Sequence, residues 1–165
     1  MLYSILLTSH SILRYLLLLL LIWAVIKSFW GWQKRMRFDG LTERLSFFTV
    51  IAAHLQLLTG FVLYWISPLL NYGRNHAQGW MSDHFLRYWM MEHLVGMIVA
   101  IALITVGRIV TKKVANDVQK YKRLFVYFVI GLLILLIMIP WPFRAGIGRP
   151  WLYECFYKNL NLHQV

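Results

Sequence analysis

Four long apolar stretches alternate with short polar ones along this chain. The first spans roughly Ser4 to Phe29, the second Leu45 to Ile66, the third Phe85 to Ile109 and the fourth Leu124 to Ile139. Each is continuously apolar. None shows the short inside-outside alternation of a barrel strand. About 20 residues at ~1.5 Å rise cross a ~30 Å hydrocarbon core, so each stretch predicts a transmembrane helix. With no water in the bilayer core, backbone polar groups must be satisfied within the segment, which selects helices. The predicted fold is an all-α membrane protein. It is an up-down-up-down four-helix bundle, one integral membrane domain over 1–165, because the connections are short.

The connections differ in kind. GWQKRMRFDGLTER follows the first stretch, and a lysine- and arginine-rich segment precedes Leu124. Between the second and third stretches, PLLNYGRNHAQGWMSDH is rich in Gly, Asn and Pro, and predicts irregular structure. Ser82 or Asp83 can cap the third helix. The fourth stretch stops at Pro140-Trp141-Pro142, and the aromatic tail to Val165 predicts a segment in the membrane interface.

Charge orients this arrangement. The net charge is +11. Lys27, Lys34, Arg35, Arg37, Arg44, Arg108, Lys112, Lys113, Lys120, Lys122 and Arg123 lie in or beside the first and third connections. The other side holds only Arg74, Arg87, Arg144, Arg149 and Lys158. This is the positive-inside pattern, and it argues against nucleic acid as the partner of the positive charge. It predicts a membrane protein, surrounded by lipid, with both basic connections cytoplasmic and both termini outside. The single Cys155 excludes an intramolecular disulfide and a cysteine metal cluster.

The chemistry sits inside the apolar stretches. His10, His54 and His93 lie among leucines, isoleucines and phenylalanines. Ionisable groups are expensive there, so each is a functional-site hypothesis. Neutral imidazole is the commonest metal ligand among side chains. His10 and His93 fall at similar depth, and His54 several Å deeper at ~1.5 Å per residue. Helices 1 and 3 of an up-down bundle are diagonal, and a haem fits between diagonal helices. His10/His93 is therefore the first pair of axial ligands, and His54/His93 the second. Arg14, one turn from His10, needs an anion: a haem propionate or Glu92. Gly96 and Ala100, on the face of His93, leave room for a macrocycle; equally, small residues let helices pack closely. A metal held by all three histidines and purely structural histidines are the alternatives. Gln56 and Thr59 are candidates for hydrogen bonds between helices. No phosphate loop, carboxylate pair or HExxH motif is present.

The segments HSILRYLLLL (10–19), ERLSFFTVIAAHLQLLTGFVLY (43–64), MEHLVGMIVAIALITVGR (91–108) and IPWPF (139–143) carry a resemblance. Together they resemble a group of small four-span bacterial membrane proteins catalogued as cytochrome-b-like. The resemblance implies a bacterial cytoplasmic (inner) membrane, haem b, one or two, and electron transfer, with His10, His54 and His93 as the matching histidines. One haem would leave a histidine over, for a propionate or a quinone. The leading expectation is a haem b electron carrier working with a quinone or a partner complex. The competing one is a cofactor-free accessory subunit packing against other membrane subunits. A small membrane oxidase acting on a quinone or porphyrin is a third.

Overall fold

A computed structural model describes residues 2–75 and 79–151. The expected interfacial tail beyond Trp151, Cys155, and His76 and His163, whose loop and tail positions predict surface residues, lie outside the described residues. Every regular element described is helical: α1 (Leu2–Gln33), α2 (Gly40–Ile66), α3 (Pro68–Asn75), α4 (His84–Arg87), a π-helical turn (Tyr88–Glu92), α5 (His93–Lys112) and α6 (Asp117–Met138). Four helical segments are long and apolar enough to cross a membrane: α1, α2, α4 through α5, and α6.

α1 packs on α2 and α6, and α5 packs on α2 and α6. The bundle is therefore a ring in which α1 and α5 are diagonal. Its core includes Leu21, Ala53, Ala100, Ile104, Leu124 and Phe128, all fully buried. Gly131 of α6 allows a close approach to α5. A Cβ there would lie 2.8 Å from an Ile104 side-chain carbon and 3.3 Å from the Ala100 carbonyl. The outward faces carry large apolar side chains such as Leu19, Leu58, Trp65 and Ile137, as expected where hydrocarbon replaces water.

The helix ends follow from local chemistry. At the basic end, α1 closes with a Schellman motif. Arg35 adopts φ 49°, its N–H donates to the Trp32 carbonyl (3.2 Å), and the Met36 N–H donates to the Gly31 carbonyl (3.0 Å). Asp39 then caps α2 by accepting from the Thr42 N–H at 2.7 Å, and accepts from Lys27 at 2.8 Å. Burial disfavours the Asp39 carboxylate, but the bonds from Lys27 and Thr42 together outweigh it. They hold the carboxyl below its ordinary value. Asp83 caps α4, accepting from Leu86 at 3.0 Å, as its position before the third apolar stretch predicts.

Two features depart from the sequence reading. The connection after α2 opens with a two-turn helix, α3, rather than irregular chain. Pro68 sits at its first position, where a missing N–H costs nothing. The third span is not a uniform α-helix, because the π turn interrupts it just before His93.

Candidate functional site: a histidine-lined cavity inside the bundle

At the end of the bundle opposite the basic connections lies a cavity of about 150 Å³. Its polar lining includes His10, Arg14, Gln56, His93 and Arg149, and most of the remainder is apolar, such as Leu57, Leu94 and Met97. Among the described residues no Asp or Glu lines it. The diagonal helices α1 and α5 thus contribute one histidine each to the same space.

His10 is held on both ring nitrogens. Gln56 Nε2 donates to the His10 carbonyl at 3.0 Å, which fixes the orientation of the amide. The same Nε2 lies 3.1 Å from His10 Nε2, which must then be the acceptor. On the other side of the ring, His10 Nδ1 is 3.1 Å from Thr59 Oγ1. The Thr59 hydroxyl spends its hydrogen on the backbone carbonyls of Leu55 (3.0 Å) and Gln56 (3.1 Å). Its oxygen therefore accepts from His10 Nδ1–H. Gly60 admits the ring, for a Cβ there would lie 3.0 Å from His10 Cε1. Gln56 and Gly60 are one turn apart, so a single face of α2 makes the cradle.

Among the described residues, His93 is held through Nδ1. Nδ1–H donates to the Met138 carbonyl at 2.9 Å. The Tyr88 hydroxyl donates to the same oxygen at 2.6 Å. Met138 is the last residue of α6, where helix carbonyls lack intrahelical donors. In the neutral ring this fixes the proton on Nδ1 and leaves Nε2 as an acceptor. A ligating histidine is oriented in the same way, with its other nitrogen donating to a carbonyl.

The remaining candidates are placed as follows. His54 is exposed on the outer face of α2 and donates from Nδ1 to the Val50 carbonyl of its own helix at 2.8 Å. It does not line the cavity. The second ligand pair, His54/His93, is therefore not brought together. Among the described residues no three of His, Cys, Asp and Glu are grouped to hold a metal ion. Arg14 is not paired with Glu92, which instead binds Arg87 at 2.7 Å. Arg14 donates to the Tyr15 hydroxyl (3.1 Å) and the Trp151 carbonyl (2.7 Å), while its Nε–H is buried without an acceptor among the described residues. Gly96 does not clear space for a macrocycle, because a Cβ there would lie 2.5 Å from Met138 Cγ. Ala100 is fully buried in the core. Both serve the approach of α6.

Tyr88, Gly60, Arg149 and the Met138 carbonyl escaped the sequence reading. Gly60 had a signal, its i+4 spacing from Gln56. Tyr88 had none. It lies five residues before His93, a spacing that only a π turn brings onto one face.

A haem b fits this donor set at one axial position, His93, and not at two, since Gln56 occupies His10 Nε2. The space is that of one six-membered ring, since an engineered apolar cavity of about 150 Å³ takes up benzene. Comparisons with known protein families, with curated proteins and with solved structures give no match.

Proposed function

We propose that this protein is a membrane electron-transfer component whose bundle cavity holds a redox-active ring against His93. One observation carries the reading: an imidazole anchored through Nδ1 to a carbonyl, so that its neutral ring has only an acceptor nitrogen left, lines a cavity with no Asp or Glu among the described residues. His93 has the orientation suited to a ligand or hydrogen-bond acceptor, and Arg14 and Arg149 supply donors to oxygen atoms. The resemblance to cytochrome-b-like proteins supports electron transfer and names haem b. The size of the cavity favours a quinone-type ring. The positive-inside charge pattern supports an orientation with both termini outside, and the resemblance supports a bacterial inner-membrane location.

The accessory-subunit reading also has an observation in its favour. His10, with both ring nitrogens satisfied between α1 and α2, behaves as structural glue. A reduced-minus-oxidised absorption spectrum of the purified protein tests both readings, together with an organic extract assayed for bound quinone. A b-type α band or a co-purifying quinone supports the redox reading. Absence of both, from cells rich in haem and quinone, favours the accessory subunit.

A further inference from the structure

The cavity's hydrogen-bonding groups are unevenly engaged. In the neutral ring, His93 Nε2 can only accept, because the Met138 carbonyl takes the Nδ1 hydrogen. Gln56 Oε1 is a buried acceptor without a donor among the described residues. The buried Arg14 Nε–H and Trp89 Nε1–H can only donate, and neither has an acceptor among the described residues. Leaving such groups unpaired inside low-dielectric surroundings is costly. A ligand that satisfies them must therefore carry an O–H and an oxygen that accepts. The volume of about 150 Å³ adds one aromatic ring.

A para-hydroquinone meets these requirements. One hydroxyl donates to His93 Nε2, and an oxygen accepts from Arg14. The oxidised quinone has only acceptor oxygens, so it would leave the His93 and Gln56 acceptors facing carbonyl lone pairs. Phe61, which is 48% exposed, lines part of the cavity. The rim therefore reaches the outward, lipid-facing surface, through which an apolar tail can leave.

We infer that the cavity is a binding site for a tailed para-hydroquinone, selected over its quinone because His93 presents an acceptor nitrogen. This rests on the redox reading above, and gives that reading its ligand and the preferred oxidation state.

The test is equilibrium binding to the full-length protein in detergent under anaerobic conditions. Three probes are compared: a decyl-substituted benzoquinone, its reduced hydroquinone, and the dimethyl ether of that hydroquinone, which cannot donate. The hydroquinone should bind about tenfold more tightly than either, which corresponds to one well-made hydrogen bond at ~1.4 kcal/mol. His93→Leu should erase the difference, and His54→Leu should preserve it. If His93→Leu does not fold, the dimethyl ether still tests donation in the intact protein. Equal affinity for all three probes overturns the selectivity and leaves the redox reading standing. A b-type α band with no binding of any probe overturns the hydroquinone site, again leaving electron transfer. No binding, no band and no co-purifying quinone overturns both.

Discussion

Tyr88 and His93 converge on a single acceptor, the Met138 carbonyl, at 2.6 and 2.9 Å. Both donors come from the third span, and the acceptor closes the fourth. The pair fastens α5 to the end of α6 and, in doing so, fixes which nitrogen of His93 faces outward from the bond. Tyr88→Phe should remove one donor but leave the imidazole anchored. Thermal unfolding in detergent should show a loss of about 1 kcal/mol, with the hydroquinone preference retained. A lost preference would mean that Tyr88, rather than the carbonyl alone, sets the tautomer.

Gly60 is the wall behind His10. Gly60→Val adds branched carbon where a single Cβ would already be 3.0 Å from the ring. Overpacking of this kind costs about 1–3 kcal/mol. Gly60→Ala should be milder, because the ring can shift by a few tenths of an ångström. Unfolding midpoints ordered wild type, alanine, valine would bear this out.

Gln56→Leu should free His10 Nε2 and remove the bond to the His10 carbonyl, with a loss of about 1–3 kcal/mol for the groups left unpaired. It also makes a spectroscopic distinction. With Gln56 gone, His10 gains the capacity to ligate iron. Added haem should still give no low-spin b-type signal, because the space admits one six-membered ring. A low-spin signal in the variant alone would show that the amide, not the space, limits haem binding.

At the basic end, Asp39 has a carboxyl held below its ordinary value by Lys27 and Thr42, against the opposing effect of burial. A depressed folded-state pKa gives stability that is present above the unfolded carboxyl's pKa and lost as pH falls through the folded one. Unfolding measured from pH 7 downward should show this acid loss in the wild type. Asp39→Asn should be less stable at neutral pH and should have a flatter acid limb.

Arg35 holds a left-handed conformation, φ 49°, which costs an L-residue roughly 1–2 kcal/mol. Arg35→Gly relieves that strain, while glycine's freedom in the unfolded chain gives back roughly 0.5–1 kcal/mol. The strain is the larger effect, so a gain of a few tenths to ~1 kcal/mol is expected in thermal unfolding. A loss would indicate that the Arg35 side chain makes a compensating contact.

The four spans were legible because continuous apolar runs leave little choice in a bilayer, and the diagonal placement of α1 and α5 followed from short connections. Helix lengths were understated. The ends are amphipathic: α1 continues through Trp30 and Trp32 to Gln33, and α2 begins at Gly40, five residues before the apolar run. The polar residues Gln56 and Thr59 stood out against leucine. Their partner did not, because facing directions depend on how the helices rotate against one another. The same uncertainty concealed the outward aim of His54. The roles of Gly96 and Ala100 also depended on the neighbour, since small residues suit a cavity and a close helix contact equally well. α3 was hidden behind a composition that usually marks a loop.

The π turn at Tyr88–Glu92 acts as a phase shifter. One additional residue in a helical turn displaces everything upstream by about 100° relative to an uninterrupted α-helix. Shortening this turn by one residue, Met91 for example, would keep the span helical and apolar while swinging Tyr88 away from His93. A change invisible to any measure of hydropathy would then unfasten the two helices at the cavity. A single-residue deletion can therefore cost this site more than many substitutions in its walls.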